Sequence, residues 1–173
     1  MLAARELSIV WGNKPEYWQW IRLPESRFSE VAELLNVCLL EIWGNINTIV
    51  LSSCTNYAAY LVFTCSTITY GFKFHPANGS VSISGHEREK RSFYLVPKEE
   101  QRQMYQIGGQ LEDEAWKGTQ YPTRRDDGWM EVELGEYFVK GGEDGDLDVS
   151  LVMFSGNWKR GIVIQGIEIR PKE

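Results

Sequence analysis

A chain of 173 residues with 43% apolar residues predicts one globular domain that needs neither disulfide nor metal for stability. Its net charge of −6, without a basic run longer than two residues, argues against nucleic acid or an anionic membrane as the main partner. The three cysteines lack metal-ligand spacing and predict free thiols in a reducing compartment. No segment has the pattern of a secretion signal or a membrane-spanning helix, so a cytoplasmic location is expected.

The first third of the chain predicts short extended segments. Residues 6–10 alternate weakly between apolar and polar and predict an opening strand, which the turn residues at 11–15 interrupt. An aromatic run at 17–20 follows. Residues 30–35 fit a short helix or a strand equally well, because their periodicity favours neither.

Two clearer strands follow. Residues 38–47 predict a strand with one apolar face, and its polar face holds Glu41, Trp43, Asn45 and Asn47. Residues 57–65 are apolar on both faces, which is typical of a central strand covered on both sides. The flanks of the Pro76–Gly79 turn, 70–74 and 81–84, predict a hairpin, and Asn78-Gly79-Ser80 is interpreted as its turn rather than as a glycosylation site.

The remaining chain alternates between turns and strands. Residues 86–91 predict a charged turn, residues 92–96 a short strand, and the polar stretch 101–127 an unusually long loop. Three alternating runs, at 130–134, 147–153 and 163–169, are separated by glycine-rich segments and predict three consecutive antiparallel strands. With eight or nine short strands and almost no helical periodicity, the sequence predicts an all-β antiparallel sandwich of the jelly-roll type.

The motifs of common enzymes and metal sites are incomplete in this sequence. His75 and His86 lie in turn-like contexts without a partner at metal or triad spacing. Asp144, Asp146 and Asp148 resemble the start of a calcium loop but lack its glycine and its closing glutamate. We therefore expect no metal, no cofactor and no catalysis.

The seven tryptophans indicate another kind of chemistry. Sugar rings stack their C–H faces on indoles while their hydroxyls bind carboxylates, amides and backbone groups. Trp11 lies beside Gly12 and Asn13, and Trp18 follows a polar loop, so both are candidates for exposed stacking surfaces. Most of the other tryptophans are expected to pack in the core.

Nine short segments, spread along almost the whole chain, resemble the plant phloem lectin family, also known as phloem protein 2 or Nictaba-like lectin domains. They are residues 7–11 (LSIVW), 17–20 (YWQW), 31–34 (VAEL), 40–42 (LEI), 57–63 (YAAYLVF), 127–131 (DGWME), 142–145 (GEDG), 158–161 (WKRG) and 166–171 (GIEIRP). Each segment is weak alone, but their shared order makes the resemblance specific.

The resemblance implies a single jelly-roll lectin domain over residues 1–173, without enzymatic activity or cofactor. It also implies binding of N-acetylglucosamine oligomers or the chitobiose core of N-glycans, a phloem or nucleocytoplasmic location, and homodimers. No F-box is expected ahead of the domain, because the lectin pattern starts at about residue 6.

The resemblance also suggests binding residues. Trp11 and Trp18 correspond to the family's binding aromatics, and Asp146 to an acidic position after the GEDG turn. Met153 occupies a second position that is usually acidic, so that contact is missing or replaced. Three further candidates lie near the last turn: Asn157, Trp158 and Lys159.

Two alternatives remain open from the sequence. One is a protein-interaction module that keeps the sandwich but has lost the sugar site, and the Met153 departure favours it slightly. The other is a glycan hydrolase, because a glycosidase needs only two carboxylates flanking a bond.

Overall fold

The computed structural model of the protein describes residues 1–83, 86, 89–101, 118–142 and 145–173. Within these ranges the chain forms short 3₁₀ helices at Ala4–Glu6 and Thr48–Val50, a helical turn at residues 98–101, and eleven strands. The strands are β1 (Leu2–Ala3), β2 (Ser8–Ile9), β3 (Trp18–Ile21), β4 (Val31–Leu34), β5 (Val37–Asn47), β6 (Thr55–Tyr70), β7 (Ala77–Ile83), β8 (Glu89–Phe93), β9 (Thr123–Arg124), β10 (Met130–Val139) and β11 (Asp146–Pro171).

These strands form two sheets that share β11. Sheet I has the order β9-β10-β6-β11-β4-β3, uses the C-terminal half of β11, and includes β1 at the edge of that strand. Sheet II has the order β2-β5-β11-β7-β8 and uses the N-terminal half of β11. Every strand pair is antiparallel, and the predicted all-β sandwich of the jelly-roll type is confirmed.

The core lies between the inward faces of the two sheets, as strand alternation requires. On β5, Leu40 and Ile42 are fully buried, whereas the side chains of Trp43, Asn45 and Asn47 are at least partly exposed. The inward residues of β11 in sheet II are likewise buried: Leu147, Val149, Leu151 and Met153. Burying each such side chain stabilises the fold by about 1.5–3 kcal/mol.

Several expectations for single elements are confirmed. Residues 31–34, which fitted a helix or a strand, form β4 because hydrogen-bonded neighbours lie on both sides, β3 and β11. The doubly apolar segment at 57–65 lies in β6, between β10 and β11. Its outer face is covered where Val62 packs with Val31, Val163 and the buried indole of Trp129.

The predicted hairpin at 70–84 is wrong. Residues 77–83 form β7, which pairs with β8 on one side and β11 on the other, so Asn78 and Gly79 lie inside a strand. Gly79 serves close packing instead of chain reversal. A Cβ at this position would lie 2.6 Å from the carbonyl oxygen of Leu134 in the opposite sheet.

The predicted pairing of three consecutive C-terminal strands is also wrong. β10 pairs with β6 and β9, whereas the following segment pairs with β5 and β7 in the other sheet. Ser155-Gly156-Asn157 does not reverse the chain. Phe154 faces Leu39 and Lys159 faces Val37, so β11 advances five residues while β5 advances two. The extra residues form a large bulge within the strand, which we call the outward loop of β11.

The predicted long loop at 101–127 lies mostly outside the described residues, as do residues 143 and 144 of the GEDG segment. Its described end contributes β9, which adds two residues to the edge of sheet I.

The packing at Gly79 gives a direct test. Gly79→Ala should lower the free energy of unfolding by about 1–3 kcal/mol, because the added methyl group meets the Leu134 backbone of the facing sheet. For a domain of this size that corresponds to a fall in Tm of about 2–10 °C in calorimetry. Gly156→Ala is the matched control, since no atom lies within 4 Å of its added Cβ. Equal Tm values for the two variants would contradict the interpretation.

Candidate functional site

Trp18 is not available to a ligand. Its side chain is 2% exposed on β3, where it lies opposite Leu34 and belongs to the main core. The sequence-based prediction of an exposed stacking ring at this position is therefore wrong. Residues 18–21 form strand β3, whose alternation turns Trp18 inward.

Lys159 is also not available to sugar hydroxyls. The side chain is fully buried, and its ammonium donates to the carbonyl oxygens of Cys38, Ser155 (3.2 Å) and Asn157 (2.9 Å). Burial lowers the pKa of this ammonium. All three hydrogens are directed to backbone carbonyls, so the predicted contact role is wrong and the residue holds the outward loop of β11.

The other predicted residues are exposed, but Asp146 is far from Asn157 and Trp158. Trp11 is 42% exposed and packs on Tyr17 with ring centroids 5.3 Å apart. Asp146, at the start of β11, accepts a hydrogen bond from Asn47 at 3.2 Å. Asn157 and Trp158 lie in the outward loop. Asp146 and Phe154 are eight residues apart on one strand, about 27 Å, so Asp146 cannot contact the same monosaccharide as Asn157 and Trp158 in the outward loop.

Met153 has a structural role. Its side chain is 1% exposed and faces the core, because its parity on β11 is that of Leu151 and Val149. A carboxylate in this register would be buried between the sheets, where an unpaired charge is costly.

The outward side of sheet II carries a different polar constellation, which we call the Trp43 face. One row of directly opposed residues crosses all five strands: Ser8, Trp43, Ser150, Ser80 and Lys90. Parallel rows add the other members: Glu41, Val152, Asn78, Ser92, Asn45, Asp148 and Ser82. An aromatic ring thus lies among hydroxyls, amides and carboxylates.

Trp43 is half-buried, and its orientation is fixed. The indole N–H donates to a carboxylate oxygen of Glu41 at 2.6 Å. A cavity of about 240 Å³ lies on one side of the ring, with Ser80 and Ser150 among its lining residues. Both serines are buried at the floor of this cavity, and their hydroxyls are hydrogen-bonded to each other at 2.7 Å.

An open cleft of about 500 Å³ lies on the other side of Trp43, and Trp20, Asn13 and Arg5 contribute to its lining. The indole of Trp20 donates to the Gly12 carbonyl at 3.1 Å, and the Arg5 guanidinium lies 3.7 Å from its ring centroid. Trp43 therefore separates two depressions on one continuous surface.

The outward side of sheet I is already satisfied by ion pairs. Arg170 binds both carboxylate oxygens of Glu131, at 2.6 and 2.9 Å, and its guanidinium lies 3.7 Å from the Tyr60 ring centroid. Arg125 binds the same Glu131 and also Glu168, at 2.7 and 2.6 Å. These contacts occupy the groups that a ligand would need.

Two carboxyl groups of this face have lowered pKa values. Hydrogen bonds from Lys172, Arg91 and Asn56 lower the pKa of Glu136 to about 2. The pKa of Glu131 is lowered mainly by its hydrogen bond with Arg170.

Part of the Trp43 face was visible in the sequence. The polar face predicted for residues 38–47 contains Glu41, Trp43, Asn45 and Asn47. The partners on β7 and β8 were missed, because Asn78 and Ser80 were assigned to a turn. No sequence signal pairs Ser8 with Trp43 at a separation of 35 positions.

Comparison with known proteins identifies the family. The profile of the Phloem protein 2 family matches residues 1–171. The chain belongs to the phloem protein 2 family. This confirms the family predicted from the sequence.

Curated relatives of this phloem protein 2 domain include two proteins of Arabidopsis thaliana. F-box protein At2g02240 is 42% identical over 172 residues, which cover 99% of this chain and 51% of that protein. F-box protein PP2-B10 is 42% identical over 176 residues, which cover 99% of this chain and 59% of that protein. The domain thus spans about half to three fifths of the length of these relatives.

Among solved structures, TmCBM61 in complex with β-1,4-galactotriose aligns over 96% of this chain and 87% of its own, with 10% identity and a TM-score of 0.42. Within the described ranges of the phloem protein 2 domain, no helix is long and apolar enough to cross a bilayer. The same ranges contain no cluster of three acidic, histidine or cysteine side chains arranged to hold a metal ion.

The ion pairs of sheet I predict acid sensitivity. A carboxyl group whose pKa is lower in the folded state stabilises the fold above its unfolded pKa of about 4.3, and this contribution is lost as the pH falls towards the folded value. Tm should therefore decrease between about pH 5 and pH 2, because Glu136 and Glu131 become protonated and release their cationic partners.

Glu136→Gln should lower Tm at pH 7 and reduce its decrease on acidification, as measured by calorimetry across that pH range. The exposed terminal Glu173, changed to Gln, serves as the control. An unchanged pH slope in Glu136→Gln would show that Glu136 is not part of the acid response.

Proposed function

We propose that this phloem protein 2 domain is a non-catalytic lectin that binds carbohydrate on the Trp43 face. The observation that carries the proposal is the position of Trp43, an oriented indole between two depressions that are lined by hydrogen-bonding groups. A pyranose presents C–H groups on its faces and hydroxyls at its rim. The Trp43 indole can stack on the C–H groups, and the surrounding hydroxyls, amides and carboxylates can bind the sugar hydroxyls.

The proposed ligands are N-acetylglucosamine oligomers or the chitobiose core of N-glycans. This finer assignment rests on the resemblance to phloem lectins and on the chemistry of the surface. Asn78 and Lys90 on one side of Trp43, and Asn13 and Ser8 on the other, offer donors for acetamido carbonyls and hydroxyls. The open shape of the cleft favours several shallow contacts instead of one deep pocket.

Trp11 supports the proposal from the rim of the cleft. Its neighbours Val10 and Gly12 line the cleft, and its ring is exposed. The residue has a φ of 58°, a left-handed conformation that costs a bulky residue roughly 1–3 kcal/mol and is often associated with binding sites. Asp146 lies at the far end of the same outward face, where it can accept from the hydroxyls of a longer ligand.

A protein-binding role is the second candidate. The relatives carry the name F-box protein and are longer than this domain. In that role the Trp43 face would contact a protein or its attached glycan. A cytoplasmic location and homodimer formation remain predictions from the sequence.

The test is calorimetric titration with chitotriose. Wild type should bind, and Trp43→Ala should weaken binding by at least about tenfold, because the loss of a stacked aromatic contact corresponds to about 1.4 kcal/mol or more. Trp43→Phe keeps a ring and should retain most of the affinity. An unchanged Tm in both variants would show that the fold is intact.

Two results would contradict the proposal. One is the absence of binding by wild type at millimolar chitotriose, together with an absence of binding to N-glycans on an array. The other is unchanged affinity in a folded Trp43→Ala variant, which would move the site away from this face.

A further inference from the structure

Two exposed aromatic rings flank the outward loop of β11. Phe154 is 82% exposed and Trp158 is 53% exposed, and only three residues separate them. Their neighbours on β11, Met153 and Lys159, are buried. We call these two rings and the loop between them the aromatic platform.

The buried side chain of Lys159 holds the platform in place. The Lys159 ammonium binds the carbonyls of Ser155 and Asn157 within the loop and that of Cys38 on β5, so it ties both ends of the loop to sheet II. Three charge-assisted hydrogen bonds in a buried position define one loop shape.

The platform is also confined from the side of β6. A Cβ at Gly71, whose φ is 91°, would lie 2.3 Å from the Trp158 carbonyl oxygen. Tyr70, beside it, lies opposite Arg160. The two exposed rings therefore belong to a segment whose backbone is closely packed against its neighbours.

The platform continues the Trp43 face along the strands. Ser150, Val152 and Phe154 point outward in succession from β11, and Ser150 lies directly opposite Trp43. The four residues from Ser150 to Phe154 place the Phe154 position about 14 Å from Trp43 along the strand direction. Val152 and Glu41 occupy the row between them, so no strand edge interrupts the surface.

We propose that the aromatic platform is a second stacking subsite for the distal residues of an oligosaccharide bound at Trp43, and that Lys159 is its positioning residue. This inference rests on the proposed function. A glycan is the occupant that fits, because the platform adjoins the Trp43 face and a β-linked oligomer carries pyranose rings with apolar C–H faces along its length. A disaccharide is too short to reach both rings, so the platform contributes only to longer ligands.

The experiment compares chitobiose with chitohexaose by titration calorimetry. Wild type should bind the hexasaccharide more tightly. In the double variant Phe154→Ala/Trp158→Ala, chitobiose affinity should stay within about twofold, whereas chitohexaose affinity should fall by about tenfold, as expected for one lost stacking contact. Both rings are exposed, so the double variant should fold. Phe138→Ala, which removes another exposed ring from β10 in sheet I, should change neither affinity.

The positioning role of Lys159 is tested with Lys159→Met, which keeps the apolar stem but removes the ammonium. In Lys159→Met, as in the double variant, the higher affinity for chitohexaose than for chitobiose should be lost. The backbone amides of residues 155–158 should also exchange with deuterium faster than in wild type, in the absence of any sugar. A purely structural role would lower Tm but leave the ratio of the two affinities unchanged. If Lys159→Met does not fold, the exposed double variant still decides whether the subsite exists.

The outcomes separate this inference from the proposed function. If Trp43→Ala abolishes binding and the double variant binds both ligands like wild type, the platform inference fails and the proposed function remains. Loss of chitobiose binding in the double variant would overturn the assignment of the platform as a distal subsite. If Trp43→Ala binds normally, or wild type binds neither sugar, the proposed function fails and the platform inference fails with it.

Discussion

The buried ammonium of Lys159 holds the point at which one strand passes from sheet II into sheet I. β11 runs for 26 residues, pairing with β5 and β7 in sheet II and then with β6 and β4 in sheet I. Between these halves its hydrogen-bond ladder with β5 is interrupted, which leaves backbone carbonyls without strand partners. Lys159 supplies three N–H donors at that point.

The energetic consequence is large for one side chain. A charge taken out of water is unfavourable unless it is fully hydrogen-bonded, and each buried carbonyl left without a donor costs about 1–3 kcal/mol. The ammonium and the carbonyls offset each other's cost only while the loop keeps its shape. The same three hydrogen bonds therefore also determine where Phe154 and Trp158 are presented.

Two glycines explain the main errors of the sequence interpretation, for different reasons. Gly79 was assigned to a turn, yet it marks the place where β7 meets Leu134 of the facing sheet. Gly156 was assigned to a chain reversal, yet it lies in a loop inserted into a continuing strand. A glycine that avoids a clash and a glycine that permits a turn look alike in one sequence, because the contacting segment lies far away along the chain.

Strand alternation was more informative. Alternation predicted both faces of β5 correctly, because every second side chain of this strand points into the core. The same rule, applied to residues 18–21, places Trp18 and Trp20 on one face of the strand and Gln19 on the other. The prediction that Trp18 is exposed rests instead on the polar loop that precedes it and on the family resemblance. Lys159 is predicted as a binding residue because it lies near the last predicted turn. Full burial of a lysine is rare, and the three carbonyls that permit it come together only in the folded chain.

The two outward faces of the sandwich use polar residues for opposite purposes. On sheet I, charges of both signs alternate and pair, and since such pairs lie near the surface each contributes only modestly to stability. On sheet II, most members of the Trp43 face are neutral hydrogen-bonding groups around an indole. Neutral groups bind water weakly enough to exchange it for sugar hydroxyls, whereas a paired arginine and carboxylate would have to break a charged contact first. This difference in desolvation, more than the shape of either surface, is why the proposed function places a neutral, hydroxyl-rich ligand on sheet II.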